Sequence, residues 1–467
     1  MNFKHSFYFL GLSCLPIALM SLLNIFYSFY FDYLENINSY LIVLVLSTST
    51  SFALTKIGRS DKDNINIYDQ LFLIFLISFL IFIPYSLSNY NISFIDSYFE
   101  SVSGLTSTGF TVFDNIKELD YPLILWRSSS QWVGGFYFLI FLVLIFSNKK
   151  INFKMVDLSY ILEKKVNFST NLIKVTSRIF FIYFSLSAFI FLVFLFSGIR
   201  LFDSMNLSMT IISSGGFLPT NSLEDIIKNN FQSLILCLTF LIPILNFYLF
   251  YNIVLARHNL KEHKEDIYIV ILIIVFSLLF YFFNDVKILE VFINILSSLA
   301  TSGISMGQVS DNFGLYFIIL TLIGGSVLST SSGMKFLRIY ILIKAFFLEI
   351  SKLVKPNVIL NTKIIFSEKN INSDNIKTSF LIFILFFLSL FILSSILLVD
   401  ALDFENSFKL SILTLTNTTA SNIYGVDSFQ FSNLFTFSKI SLIIFMVIAK
   451  VELLAIFILV QKVFFKN

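Results

Sequence analysis

The residues best suited to chemistry in this chain are short strings of serine, threonine and glycine set between long apolar runs. The first lies within Phe99-Glu100-Ser101-Val102-Ser103-Gly104-Leu105-Thr106-Ser107-Thr108-Gly109-Phe110. Variants occur at Ile212-Ser213-Ser214-Gly215-Gly216 and Ala300-Thr301-Ser302-Gly303, with a weaker fourth at Thr416-Asn417-Thr418-Thr419. Successive carbonyl and hydroxyl oxygens can replace the hydration shell of a cation, and a ring of such strings can hold one ion. A short apolar helix ending just before each string would add its partial negative charge. Glycine then supplies the dihedrals for the chain to turn back. The same residue types line ordinary helix contacts in membranes. Their recurrence, with Gly109, Gly215, Gly303 and Thr419 aligned, favours the ion site over packing.

The elements that must position these strings are membrane spans. The chain is 57% hydrophobic and 13% charged, with a mean hydropathy of +0.85, and its apolar runs are long enough to cross a bilayer core of about 30 Å. We read spans near 7–30, 39–56, 71–90, 122–147, 177–198, 231–256, 267–284, 313–348, 378–400 and 434–463. The first is too long for a signal-peptide core and reads as retained. Segments too polar to span and too apolar for plain loops lie at about 93–111, 202–217, 288–304 and 405–420. The fold class is thus an all-α integral membrane protein in which span, re-entrant segment and span recur four times. The expected division is an N-terminal helix pair (1–60) and repeats over 61–150, 151–260, 261–350 and 351–467, the third with a broken second helix. Cys14 and Cys237 fall inside spans, which argues against a disulfide framework or a cysteine metal site.

Charge supports that topology. One set of connections carries Lys56, Arg59 and Lys62, then Lys149, Lys150, Lys154, Lys164, Lys165 and Lys174, then Arg257, Lys261 and Lys264, then Lys352, Lys355, Lys363, Lys369 and Lys377. The alternate set carries carboxylates including Asp96, Glu100, Asp120, Asp203, Glu224, Glu290 and Glu405. The positive-inside rule puts the lysine-rich set and both termini in the cytoplasm. The acidic face then reads as a mixture of solvated side chains and a vestibule that concentrates cations. His5, His258 and His263 read as solvated surface residues.

Glycine, serine and threonine also cluster at Gly324–Gly333, inside the run 313–348. At membrane depth such a cluster means unwound backbone bordering a cavity, or else a glycine kink. Lys450 and Glu452 lie at the end of the last apolar run, where a charge is costly unless it is paired, faces a pore or snorkels. We find no metal-ligand motif, no phosphate-binding glycine loop and no nucleophile–base pair. No cofactor, catalytic residue or nucleic-acid partner is expected; the partner implied by composition is the lipid bilayer.

The string at Phe99–Phe110, followed by Trp126-Arg127 and Gln131-Trp132-Val133-Gly134-Gly135, resembles the first repeat of the TrkH/KtrB/HKT superfamily of potassium uptake proteins, most closely its TrkH branch. Ile323-Gly324-Gly325 with Ser329-Thr330-Ser331-Ser332-Gly333-Met334-Lys335 resembles that family's third-repeat motif, and Ala449-Lys450-Val451-Glu452 stands where the family has Gly-Arg-Leu-Glu. The resemblance implies four membrane–pore-loop–membrane units around a central pore. It also implies potassium ion as substrate, bound by Ser107, Thr108, Ser213, Ser214, Thr301, Ser302, Asn417 and Thr418, with filter turns at Gly109, Gly215, Gly303 and Thr419. It implies an intramembrane gate using Gly324, Gly325, Ser329, Thr330, Gly333, Lys335 and Lys450. It further implies a homodimer in the bacterial cytoplasmic membrane and a cytosolic nucleotide-binding regulatory subunit of the TrkA type. Thr419, where the family has glycine, departs from the pattern and leaves a sodium-permeable or cation-coupled transporter open. A non-transporting membrane scaffold and an intramembrane enzyme are the readings from other classes.

Overall fold

In hydrocarbon every backbone N–H and C=O must find its partner within the segment, so long apolar runs become helices. The structure is a computed structural model and describes residues 3–58, 67–147, 172–253, 263–283, 287–307, 313–355, 362–365, 370–400, 402–426 and 429–451. Among these residues the chain is helical, and the extended pairing is the isolated bridge between Lys363 and Asn370. Arg59, Lys62, Lys149, Lys150, Lys154, Lys164, Lys165, Arg257, Lys261, Lys369, His258 and Glu452 lie outside the described residues.

Helices α1 (Phe3–Ser13) and α2 (Leu15–Tyr30) meet at Cys14 and pack on α3 (Ile37–Ile57). Pro16, in the first turn of α2, withholds the N–H that would join the two ladders. One succession then recurs: a long helix, a 12-residue helix, a polar string and another apolar helix. Its members are α4 (Ile67–Ser86), α5 (Phe94–Leu105) and α6 (Tyr121–Ser147); then α7 (Leu172–Phe196), α8 (Leu201–Ile212) and α9 (Asn230–Ile244), extended by the short α10 (Phe247–Tyr251). The third set is α11 (Lys264–Phe283), α12 (Ile288–Leu299) and a helix divided into α13 (Gly314–Ile323) and α14 (Phe336–Val354); the last is α15 (Ser373–Leu397), α16 (Phe404–Leu415) and α17 (Thr436–Val451).

The arrangement closes on itself. Helix α6 packs on the short helix α8 of the next set, α9 on α12, α13 on α16, and α17 returns to α5. Each 12-residue helix carries a carboxylate in its first turn, Asp96, Asp203, Glu290 or Glu405, where the positive end of the helix dipole favours it. Outward-facing Phe26, Phe52, Phe181, Phe282 and Phe391 are exposed, an apolar coat suited to lipid. Five helices among the described residues are long and apolar enough to cross a membrane.

The break at 324–335 falls where the glycine cluster was read. A second break was not expected: the run read as one span over 231–256 stops at Ile244, and Leu245 and Asn246 are extended. Asp266 Oδ1 accepts the Asn246 N–H at 3.0 Å, and Asn246 Oδ1 caps α10 by accepting from the Tyr248 N–H at 2.9 Å. His263, expected on the surface, is buried beside them, with Nε2 3.0 Å from Asn252 Nδ2 and Nδ1 3.6 Å from Asp266. Cys14 and Cys237 are free thiols.

Candidate functional site

Each of the four short helices stops with the same backbone device. The residue after the cap is left-handed: Ser107, Ser214 and Thr301 at φ 57° and Asn417 at φ 48°. The next N–H, of Thr108, Gly215, Ser302 or Thr418, donates back into the helix to the carbonyl of Ser103, Thr210, Ser297 or Leu413 at 2.8–3.0 Å. The left-handed residue's own N–H reaches Gly104, Ile211, Ser298 or Thr414. This double bond pattern terminates helices and normally recruits glycine at the left-handed position. Here that position is filled by three hydroxyls and an amide, at a backbone cost of about 1–2 kcal/mol each.

The helix ends fix the alignment of the strings. Two residues past the left-handed position stand Gly109, Gly216, Gly303 and Thr419. The second string is therefore displaced by one residue from the sequence alignment, which took Gly215 as the counterpart of Gly109. A Gly-Gly pair offers two candidate turns, and only the cap chooses between them. Ser213 in turn is the helix cap, and its hydroxyl donates back to the Met209 and Thr210 carbonyls at 2.9 Å.

The strings converge. A Cβ placed on Gly109 would lie 3.0 Å from the Gly216 Cα, and one on Gly216 would lie 2.6 Å from the Ser302 carbonyl oxygen. A Cβ on Gly303 would overlap the Thr419 carbonyl oxygen, and Thr419 Oγ1 donates to the Thr108 carbonyl at 2.8 Å. The contacts run first to second, second to third, third to fourth and fourth to first. Ser107, Thr108, Ser213, Ser214, Thr301, Ser302, Asn417 and Thr418 are all buried there. Ser107 Oγ and Asn417 Oδ1 make no hydrogen bond among the described residues. Buried oxygens of this kind ordinarily have partners.

Bracing behind the strings involves residues that sequence reasoning left unassigned. Glu100, read as part of the acidic face, is fully buried: Oε1 accepts from Arg127 Nε at 2.8 Å and Thr111 Oγ1 at 3.0 Å, and Oε2 from the Val112 N–H at 3.0 Å. The Arg127 guanidinium lies 4.2 Å from the centre of the Phe217 ring in the second string. Asn294 occupies the place of Glu100 in the third set and makes a two-bond clamp on the Met306 backbone at 2.9 Å. Gln131 Oε1 holds the Phe217 N–H at 3.2 Å. A carboxylate or amide in the middle of an otherwise small and apolar helix was the available signal.

The interruption at Gly324–Lys335 lies against the strings. Thr301 Oγ1 accepts the Ser332 N–H at 2.8 Å, and the hydroxyls of Ser214 and Thr330 are 3.1 Å apart. The loop turns through left-handed Gly324 (φ 62°) and Gly333 (φ 79°). A side chain at Gly325 would meet the Ile244 carbonyl oxygen at 2.5 Å. The Ser326 N–H donates to Ile244 at 2.9 Å, the Ser331 N–H to Pro243 at 3.2 Å, and Leu328 accepts from the Phe247 N–H at 2.7 Å. The loop thus rests on the broken end of α9. Lys335 Nζ curls into it, donating to the carbonyls of Ser329 and Ser331 and to Ser329 Oγ. Lys450 is buried without a hydrogen-bond partner among the described residues, and its Nζ is 4.5 Å from the Phe138 ring centre. Lys335 approaches the same ring at 5.8 Å. Phe138 went unnoticed in the sequence because one phenylalanine among sixty carries no signal.

Comparison with known proteins finds relatives of the chain and a solved structure of the same fold. The model of the TrkH family, described as cation transport proteins, matches residues 35–267. An uncharacterized cation transporter of Methanocaldococcus jannaschii is 24% identical over 405 residues, covering 84% of this chain and 81% of that one. The Trk system potassium uptake protein TrkG of Escherichia coli is 26% identical over 399 residues, 81% of each chain. The crystal structure of the potassium transporter TrkH from Vibrio parahaemolyticus superposes with a TM-score of 0.84 over 98% of both chains at 20% identity, a likeness of fold. The chain belongs to the TrkH family of cation transport proteins.

Proposed function

We propose that this protein takes up potassium ions across the bacterial cytoplasmic membrane, through a filter made by its four strings. The observation that carries the reading is the meeting of four helix carboxyl ends, each capped by a left-handed residue with a polar side chain, in one closed ring. Each helix end contributes a partial negative charge of about half an electron. Uncharged oxygens around the meeting point offer a hard cation a substitute for water that it can also leave. The membrane potential drives entry, at about 2.3 kcal/mol per charge per 100 mV. Relatives named as Trk potassium uptake proteins support potassium as the ion.

In this reading Ser107, Thr108, Ser214, Gly215, Thr301, Ser302, Asn417 and Thr418 border the ion, and Ser213 supports the second string from behind. The loop at Gly324–Lys335 is the gate. Its bonds to Ser214 and Thr301 let a rearrangement of the loop be felt at the filter. Lys335 and Lys450, both close to the Phe138 ring, bias its position. The functional unit is a homodimer with both termini in the cytoplasm. A cytosolic nucleotide-binding subunit of the TrkA type docks on the lysine-rich face. A sodium-permeable variant of the same activity has one observation in its favour, the threonine at 419 in place of a filter glycine.

The test is growth rescue of a potassium-uptake-deficient bacterium at limiting potassium, with a matched regulatory subunit present. The wild-type chain restores growth, and Gly109→Ser restores it poorly and lets sodium compete. Absence of rescue by the wild type overturns the reading.

A further inference from the structure

The ring of three glycines and one threonine is not symmetric, and the asymmetry lies across its opening. In the cyclic order of the strings the fourth neighbours the first and third, and the second lies opposite. Yet Thr419 Oγ1 touches the first and the second: a Cβ on Gly109 or on Gly216 would overlap that hydroxyl. The side chain therefore extends over the opening instead of lying back against its own helix. Its proton is given to the Thr108 carbonyl at 2.8 Å, one of the oxygens that would otherwise face an ion. Asn417 Nδ2 takes the other oxygen of the same residue, Thr108 Oγ1, at 3.0 Å.

The string that carries this side chain also lacks a brace that the other three share. Ser103, Thr210 and Ser297 use their hydroxyls to hold the first three strings, bonding the Phe110 carbonyl, the Phe217 carbonyl and Ser302 Oγ. The corresponding residue in the fourth is Leu413, which has none to offer. Thr419 is half-buried where Gly109, Gly216 and Gly303 are buried.

We propose that the Thr419 hydroxyl is a tethered occupant of the ion ring, bonded to the Thr108 carbonyl, and that each permeating cation must displace it. The proposal rests on the reading of the strings as a cation filter. A hydroxyl proton and a cation compete for one oxygen. The chain therefore pays for each passage by breaking an internal hydrogen bond. Once rotated, the same hydroxyl can turn its oxygen toward the ion, so a serine serves nearly as well and a valine does not.

The experiment measures potassium and sodium influx into proteoliposomes containing the full chain, at a fixed membrane potential, for wild type, Thr419→Gly, Thr419→Ser and Thr419→Val. Each is first checked for wild-type elution and thermal stability. Loss of one neutral hydrogen bond from the path raises potassium influx in Thr419→Gly by roughly three- to tenfold. Thr419→Ser stays within about twofold of wild type, since its hydroxyl can make the same bond, and Thr419→Val conducts less than wild type. A folded Thr419→Gly with wild-type influx, or a Thr419→Val indistinguishable from wild type, overturns the latch while leaving the filter reading intact. No cation influx in any variant overturns the filter reading itself. Influx in Thr419→Gly alone, with none in wild type, overturns the latch, because the wild-type hydroxyl must yield to a passing cation.

Discussion

The first and fourth strings reach the same backbone shape by opposite means. The first is held from within its own unit: Ser103 fixes Phe110, Glu100 fixes Val112 and Thr111, and Arg127 neutralises Glu100. The fourth has Leu410 and Leu413 at the positions of Glu100 and Ser103, and it leans in part on the first string. Asn417 reaches Thr108 of that string and the Met446 carbonyl of its own unit, and Thr419 reaches Thr108. A filter needs fixed oxygens to tell one ion from another, but it also needs a part that can give way as ions pass. Here the two demands are met by different strings.

The sharpest test of that contrast is to break each string's charged support. Arg127 and Glu100 are 1% and 0% exposed, so Arg127→Leu strands a carboxylate in the protein interior at a cost of about 3–5 kcal/mol. Thermal unfolding in lipid nanodiscs, followed by tryptophan fluorescence, should register that loss as a large fall in melting temperature. The fourth unit's pair is Lys409 and Glu405, 2.6 Å apart, with Glu405 75% exposed. The Lys409 ammonium holds the Glu405 carboxyl below the usual carboxylate range. A lowered value means that any stabilisation is present at neutral pH and fades as pH falls through it. Solvent screens the Glu405 side of the pair, and the buried Lys409 ammonium keeps the Gly425 carbonyl at 3.4 Å, so Glu405→Gln should lose far less than Arg127→Leu at pH 7. Equal losses in the two variants would erase the distinction between a braced and a leaning string.

Much of this was legible in the residues, for a physical reason. Strings of Ser, Thr and Gly between apolar runs cannot be plain helix or plain loop at membrane depth, so their recurrence exposed the four segments and the interruption at 324–335. Three features were not legible. The alignment of the second string depends on which residue takes the left-handed cap, and Gly215-Gly216 hides it. The burial of Glu100 depends on a partner 27 residues away, invisible to composition. The break after Ile244 is a bargain between Asn246 and Asp266, 20 residues apart; Pro243 was its only local sign.

The alignment itself can be tested at the second string. An alanine at Gly216 would set its methyl into Thr419 and 2.6 Å from the Ser302 carbonyl oxygen, backbone that cannot yield without opening the ring. An alanine at Gly215 meets mainly the Gln131 amide, the end of a flexible side chain. Potassium uptake in cells should be abolished by Gly216→Ala and only reduced by Gly215→Ala, at equal expression. The reverse order would restore Gly215 as the turn.

The mildest changes probe the left-handed residues, where the two strings should respond with opposite sign. Ser107 spends backbone energy at φ 57° and its hydroxyl makes no hydrogen bond among the described residues. Gly at that position removes about 1–2 kcal/mol of strain and gives back about 0.5–1 kcal/mol through the greater freedom of the unfolded chain. Ser107→Gly should therefore stabilise by about 0.5–1 kcal/mol, a rise of a degree or so in melting temperature. Asn417 carries similar strain at φ 48°, but its amide makes two bonds, to Thr108 Oγ1 and to the Met446 carbonyl. Each is worth about 0.5–1.5 kcal/mol net, so Asn417→Gly loses more than it gains and melts below wild type. Because one of those bonds is the fourth string's tie to the first, stabilisation by Asn417→Gly would mean that the string stands without its neighbour, and the division of labour between fixed and yielding strings would fail with it.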